Sequence, residues 1–281
     1  KMSKSLGNSP DLLALIDKYG ADATRFGIMI SSPAGNDLLW DESSNEQGLH
    51  FNNKIWNALK LVKMWEGRAS SRKLSAAEAS FATEWFDSRL NQARAEIEEL
   101  YKDFRLSEIL KTIYSLIWDD FCSWYLEWAK PGFEQPIDSA IYRKTVDFFE
   151  QLMQLLHPFM PFITEEIYHL LNTRQDDITV KQFPAIKAAD KSILQNAELL
   201  KEVISAIREA RTKNQLKSKD AIKLYIQASD QSAYKSIQQI LAKQVNAESV
   251  SFTKEPVSNC INVVVQKDRF YLQTETELDT S

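Results

Sequence analysis

The chain begins with two lysines and two serines around one methionine: Lys1, Met2, Ser3, Lys4 and Ser5. Two ammonium groups and two hydroxyls in one short loop can surround a polyphosphate, because each lysine offers a compact charge with three donors. Backbone N–H groups at the start of the following helix can add to them. Such a loop would stabilise the charge that develops on a leaving pyrophosphate. By residue type alone, a Lys/Ser run is more often a solvated terminus.

Cations also outnumber anions in residues 201–223, although the 281-residue chain has a formal net charge of −5. This segment contains seven lysines and arginines and three acidic residues. Arg208 and Arg211 are three residues apart and share a helix face, which would suit contact with an RNA backbone. The alternative is a solvated helix with internal ion pairs, such as Glu209 with Lys213.

Other classes of site find little support in the composition. Cys122 and Cys260 form no CxxC pair, so neither a structural zinc site nor a disulfide framework is predicted, and a reducing cytoplasm fits. The three histidines are scattered, and no metal site is predicted: His50, His157 and His169. No apolar run reaches the length of a membrane span, so no membrane partner is expected.

The element pattern that must position these residues is mainly helical. In residues 9–20, Ser9 is the predicted N-cap, Pro10 the first helical residue and Gly20 the C-terminal cap. A second helix is expected to begin near Asp22. From residue 46 to 172, apolar residues recur every three or four positions, which predicts a bundle of amphipathic helices.

The predicted stripes of this bundle define its core. They are Phe51, Ile55, Leu59 and Val62; Leu90, Ala93, Ile97, Leu100 and Phe104; Ile109, Ile113, Ile117, Phe121, Trp124 and Trp128; and Val146, Phe149, Met153 and Leu156. After residue 186 the pattern changes, since residues 222–228 alternate apolar and polar side chains as a half-buried strand does. Residues 231–243 suggest a helix, and a hairpin turning at Lys267 and Asp268 follows, which together predict a small α+β domain.

Several stretches resemble a known family. Residues 1–8, KMSKSLGN, match the second signature of the class I aminoacyl-tRNA synthetases, and the similarity covers nearly the whole chain. FNNKIWNALKLV at 51–62 and WDDFCSWYLEWAK at 118–130 resemble segments of the valyl-tRNA synthetases in particular, although Ser123 stands where many relatives have aspartate. LHPFMPFITEEIY at 156–168 is shared with isoleucyl and leucyl relatives, so fragments of those enzymes are the alternatives.

The resemblance implies that the intact protein is a valine–tRNA ligase acting on tRNA(Val), valine and ATP, with Mg²⁺ accompanying ATP. Its catalytic residues here would be Lys1 and Lys4, and its ATP-binding residues would be Lys1, Met2, Ser3, Lys4 and Ser5. The family's nucleotide-binding and editing domains are not found in this sequence. We therefore expect a C-terminal fragment that cannot aminoacylate alone and holds no bound cofactor. We also expect the protein to be monomeric and cytoplasmic.

The resemblance also implies three domains. Residues 1–45 would hold the KMSKS loop and helices that contact the tRNA stem, residues 46–185 an anticodon-binding helical bundle, and residues 186–281 the small α+β domain. A free-standing helical module that binds RNA or another partner without any link to ligation is the alternative from a different class.

Eight residues are candidates for contact with tRNA: Asn52, Asn53, Lys54, Trp56, Arg105, Lys130, Arg208 and Arg211. Asn52 and Lys54 lie off the apolar stripe of the first bundle helix and should be exposed. Core packing is the alternative for the tryptophans, Trp118 among them. Complementing a helix C-terminus is the alternative for Arg105 and Lys130.

Overall fold

The computed structural model places the chain in two compact units. One comprises residues 1–75 and 86–189, and the other comprises residues 76–85 and 190–281. The structure describes these residues: 5, 9–35, 37–38, 40–71, 77–132 and 134–274. The segments predicted as separate domains at 1–45 and 46–185 lie in the same unit, so their separation stays a prediction.

The first unit is mainly helical. Its elements, in chain order, are α1 (Leu12–Tyr19), α2 (Ala21–Ile30), α3 (Ser43–Glu66), β1 (Ala69–Ser70), the part of α4 (Ala77–Lys102) from Phe86 onward, α5 (Leu106–Ser115), a π-helical segment (Leu116–Tyr125), α6 (Leu126–Ala129), β2 (Ile137–Asp138), α7 (Ser139–Leu156), α8 (Pro161–Leu171) and a 3₁₀ turn (Ile178–Val180). Strands β1 and β2 form a short parallel pair.

The cap of α1 differs from the prediction at its beginning. Asp11, rather than Ser9, is the N-cap, and its carboxylate accepts hydrogen bonds from the N–H groups of Leu13 and Ala14. A carboxylate both pairs these free donors and complements the positive end of the helix dipole. At the other end, Gly20 has a φ of 85° and closes the helix as predicted.

The predicted apolar stripes form most of the core of this unit. Phe51, Ile55, Leu59 and Val62 of α3 are all buried, and so is the predicted stripe of α7. The prediction is wrong for Phe104, because α4 ends at Lys102 and Phe104 follows with a φ of 55° and a side chain that is 81% exposed.

The π-helical segment changes which aromatic residues face the core. Its hydrogen bonds run from residue i to i+5, which widens each turn by roughly one residue relative to an α-helix. Tyr125 is consequently buried, while Trp124, which the α-helical spacing assigns to the core, is partly exposed. Ser123 fits this wider turn, since its hydroxyl donates to the carbonyl oxygen of Trp118, five residues earlier, at 2.9 Å.

The second unit contains the small α+β fold that the sequence predicts. Its elements are the beginning of α4, α9 (Lys191–Lys213), β3 (Ile222–Gln227), α10 (Ser232–Gln244), β4 (Ala247–Phe252), β5 (Ile261–Val265) and β6 (Asp268–Gln273). The four strands form one sheet in the order β4-β3-β6-β5. Strand β4 is parallel to β3, and β6 is antiparallel to both β3 and β5. Inward-facing Ile222, Leu224 and Ile226 of β3 are buried.

Candidate nucleic-acid interface

Helix α3 carries four of the residues predicted to contact tRNA. Because Phe51 and Ile55 turn inward, Asn53 and Lys54 between them lie on the outer side of the helix. Asn53 is exposed, and Lys54 is partly exposed. Asn52 and Trp56 are also partly exposed.

Lys54 lies over an aromatic pair from the neighbouring chain segment. Its Nζ is 5.1 Å from the centroid of the Trp118 ring, and Trp118 stacks on Tyr114 with centroids 5.5 Å apart and planes 19° apart. Both rings are partly exposed, whereas Phe51, 4.8 Å from Tyr114, is fully buried and ties the pair to the core. We call Lys54, Trp118 and Tyr114 the Lys54–Trp118 platform.

The platform combines two features that nucleic acids recognise. A partly exposed indole stacked on a phenol offers a flat surface on which an unpaired base can stack. Lys54 adds a positive charge that the ring face attracts and a phosphate would also attract. Within the part of the chain that the structure describes, Lys54 forms no ion pair, so its charge is available to a ligand. Sequence reasoning did not select Trp118 and Tyr114 as functional candidates. The signal that could have found them is their i, i+4 spacing in a helix predicted to pack in the core.

Asn52 is less well placed for a ligand than its neighbours. Its Oδ1 atom is buried and has no hydrogen-bond partner among the described residues. A buried acceptor of this kind lies out of reach of a ligand that approaches from solvent. Asn53 is the better candidate for a polar contact on this face.

The pKa of Cys122 reflects the environment beside the Lys54–Trp118 platform. Burial raises the pKa of its thiol to about 12, and the charge of Lys54 opposes this shift only in part. The thiol is therefore neutral at physiological pH and behaves as a small apolar side chain.

Arg105 and Lys130 are each engaged by a carboxylate one helical turn away. Arg105 lies immediately before α5, rather than at the C-terminus of a helix, and its Nε donates to Glu108 at 2.8 Å. Lys130 caps the end of α6 and pairs with Glu127 at 2.6 Å. Exposed pairs of this kind are weak, so a phosphate could compete for either cation.

Arg208 and Arg211 of α9 lie in different environments, contrary to the expectation that they share one RNA-facing surface. Arg211 is 5% exposed, and its guanidinium donates to the carbonyl oxygens of Val245, Lys217 and Asp220. This arginine joins α9 to the loop at 217–220 and to Val245, so three of its N–H groups are occupied by protein carbonyl oxygens. Its burial follows from the turn of α9, since Ile207, four residues earlier, also faces the core.

The exposed surface of α9 shows the pairing that the sequence offered as the alternative. Glu209 and Lys213 form an ion pair at 2.7 Å. Arg208 is exposed, and its guanidinium donates to the side-chain oxygen of Gln244 at 3.0 Å. Arg208 therefore keeps a solvent-facing charge, which Arg211 does not.

The predicted ATP loop is largely outside the described residues. Lys1, Met2, Ser3 and Lys4 belong to that undescribed part, while Ser5 is described and exposed. Their catalytic and ATP-binding roles thus remain predictions. Across the described ranges, no helix is both long and apolar enough to cross a membrane.

Comparison with known proteins identifies the family. Residues 83–226, just over half of the chain, match the model of the anticodon-binding domain of tRNA ligase, and residues 1–41 match that of the class I tRNA synthetases (I, L, M and V). A valine–tRNA ligase of Parabacteroides distasonis is 42% identical over 96% of this chain and 31% of its own length. One of Phocaeicola vulgatus is 49% identical over 80% of this chain and 26% of its own.

A solved structure, the ternary complex of Agrobacterium radiobacter K84 agnB2 LeuRS-tRNA-LeuAMS, is 18% identical, with a TM-score of 0.48 over 69% of this chain and 23% of that chain. The chain thus spans roughly a third or less of the length of the curated relatives named above. The family model matches more than half of the sequence, including a helical bundle of the predicted kind, and this match establishes the family of the chain. The chain belongs to the tRNA ligase family and contains the anticodon-binding domain of that family.

Proposed function

We propose that this chain is the tRNA-binding part of a valine–tRNA ligase and that the Lys54–Trp118 platform contacts tRNA(Val). The observation that carries the proposal is a lysine without an ion pair among the described residues, set over a partly exposed stacked ring pair. The names of the relatives and the anticodon-binding family model support tRNA as the ligand. Stacking and a single positive charge suit an unpaired base and its flanking phosphate.

The other residues predicted to contact tRNA differ in how far their polar groups are already engaged by the rest of the protein. Asn53 and Trp56 lie within two residues of Lys54 and belong to the same stretch of α3. Arg105, Lys130 and Arg208 would join through phosphate contacts, each by leaving a protein partner. Asn52 would contribute only after its amide turned outward, and Arg211 would hold the second unit together rather than bind RNA.

The intact enzyme would join valine to tRNA(Val) at the expense of ATP, with Mg²⁺ accompanying the nucleotide. Lys1 and Lys4 would stabilise the ATP phosphates in the transition state, assisted by Met2, Ser3 and Ser5. The match of residues 1–41 to the class I synthetase model supports these roles. We further propose that the protein works as a cytoplasmic monomer.

Replacing Lys54 by methionine tests the platform directly. Methionine keeps an apolar chain over Trp118 but removes the charge, so the salt dependence of tRNA(Val) binding should decrease by about one unit of slope. Lys60→Met is the matched control, because Lys60 lies in the same helix and is exposed. Fluorescence anisotropy with labelled tRNA at several salt concentrations gives both slopes. Equal slopes for the two variants would rule out a phosphate contact at Lys54.

The stacking role needs a second measurement. Trp118→Leu removes the flat ring and should weaken tRNA binding by about 1–3 kcal/mol, the usual contribution of one stacked base. Circular dichroism melting of the variant separates lost binding from lost folding. Comparing tRNA(Val) with the same tRNA carrying a changed anticodon then shows whether the ring reads the anticodon. Equal affinities would confine the chain to docking on the backbone.

A further inference from the structure

Three side chains with metal-binding atoms converge at the C-terminal end of α8. The Nε2 atom of His169 is 3.1 Å from Oε1 of Glu165 and 3.4 Å from Oδ1 of Asp177. All three atoms lie within 4.8 Å of one another. Glu165 and His169 are four residues apart and therefore share one helix face, whereas Asp177 comes from the segment after the helix.

That segment is held in place by several hydrogen bonds around Asp177. The N–H group of Ile178 donates to Oε1 of Glu165 at 3.0 Å, and Tyr168 donates to Asp176 at 3.0 Å. Two residues beyond Asp177, the hydroxyl of Thr179 is 3.2 Å from a ring nitrogen of His157. Hydrogen bonds made by the residues on both sides of Asp177 thus help to keep it near His169, as hydrogen bonds beyond the ligands do in known metal sites.

Two of the three distances between these side chains, those measured from His169, are compatible with a transition-metal site. With metal–ligand bonds of about 2.0–2.1 Å, two ligands of a tetrahedral zinc ion are separated by roughly 3.3–3.4 Å. The two separations measured from His169, 3.1 and 3.4 Å, lie close to that value. One imidazole and two carboxylates suit zinc and related first-row divalent ions, whereas Mg²⁺ prefers oxygen ligands alone.

We propose that Glu165, His169 and Asp177 bind one first-row divalent transition-metal ion, with Zn²⁺ as its test species. The ion has a route to the site, since the side chains of His169 and Asp177 are 37% and 72% exposed. Three protein ligands leave a fourth position for water. His157 lies near the cluster, with its Nε2 atom 4.0 Å from the second oxygen of Glu165. The bound ion would fasten the segment after α8 to the helix itself.

Sequence reasoning alone predicts no metal site here, because the ligands do not form a compact motif. Glu165 and His169 have helical ligand spacing, but Asp177 becomes a neighbour only when the chain folds back. The same three side chains can also be linked without a metal, by an N–H group at Nε2 of His169 that donates to the two carboxylates. The two arrangements differ in whether added Zn²⁺ binds.

Isothermal titration of the metal-free chain with ZnCl₂ distinguishes them. We expect one Zn²⁺ per chain, with affinity at least tenfold weaker in His169→Gln and in Asp177→Asn, as for loss of one ligand. His50→Gln is the matched control, since His50 is exposed on α3 and should leave the affinity unchanged. Glu165→Gln is avoided, because Glu165 also accepts the hydrogen bond of Ile178.

Three results would overturn the proposal. The first is no Zn²⁺ binding by the unmodified chain, and the second is unchanged affinity in both ligand variants. The third is a thiolate charge-transfer band on titration with Co²⁺, which would place the ion on Cys122 or Cys260 instead. Circular dichroism spectra of all variants confirm that any lost binding is not lost folding.

Discussion

Replacing Glu150 of α7 by glutamine should destabilise the first unit by about 3 kcal/mol. The Glu150 side chain is 8% exposed and accepts hydrogen bonds from Arg174 and, at 2.6 Å, from Lys181. Asn172 donates a third hydrogen bond to the same carboxylate. Glutamine keeps the size of the side chain but removes its charge. Two cations would then face a neutral amide in a largely buried place.

The magnitude follows from how deeply the cluster is buried. Removing one partner of a buried ion pair costs about 3–5 kcal/mol, because the remaining charge is left without compensation. Arg174 and Lys181 are 14% and 22% exposed, so water can solvate each of them in part. That residual solvation places the cost at the lower end of the range. For a unit of this size it corresponds to a decrease of roughly 6–12 °C in melting temperature.

Urea denaturation followed by tryptophan fluorescence measures this change in the transition of the first unit. The control is Glu99→Gln, which removes an exposed partner of Lys102 from a pair whose side chains are 73% and 67% exposed. That control should lie within about 0.5 kcal/mol of the unmodified chain. If Glu150→Gln were equally mild, the three donors would not depend on a buried charge, and the reasoning would fail.

Two further predictions follow from the buried cation of α9 and from the two cysteines. Arg211→Ala should lower the stability of the second unit by about 2–4 kcal/mol, because three carbonyl oxygens lose their donor. The exposed Arg208→Ala should change the stability by under about 1 kcal/mol. Thermal melting of both variants compares the two effects. At pH 8, Cys260 should react with a thiol reagent well before Cys122, because the pKa of Cys122 is raised to about 12. The Cys122→Ser and Cys260→Ser variants show which thiol gives the fast phase of the reaction and which gives the slow one. Equal rates for the two thiols would contradict the raised pKa of Cys122.

Much of the fold could be predicted from the sequence because its elements follow local rules. The apolar periodicity of α3 and α7 places residues on the core face wherever the helix is regular, and Gly20 ends α1 as its conformational freedom allows. Periodicity fails at Trp124 and Phe104 for physical reasons. The first lies in a π-helical segment, where the spacing changes, and the second lies beyond the end of α4.

The candidate sites were harder to predict because they depend on contacts between distant segments. Lys54 and Trp118 lie 64 positions apart in the sequence and meet only when α3 packs against the π-helical segment. Helical spacing correctly separates Lys54 from the apolar stripe, but it does not indicate which aromatic residue lies beneath it. For Arg211 the same spacing misleads, because a long cationic side chain can turn inward to bind carbonyl oxygens.

Which of the predicted cations can bind RNA depends on the contacts that each one already makes within the protein. Arg211 could bind a phosphate only by abandoning three buried carbonyl groups, and the cost of leaving them unpaired would offset the gain. Arg105 and Lys130 would exchange one weak exposed pair for another, which yields little net affinity. Lys54 faces an aromatic ring instead of a carboxylate, so a phosphate adds to its interactions without replacing one. The change in salt dependence on removing a charge should therefore be largest at Lys54.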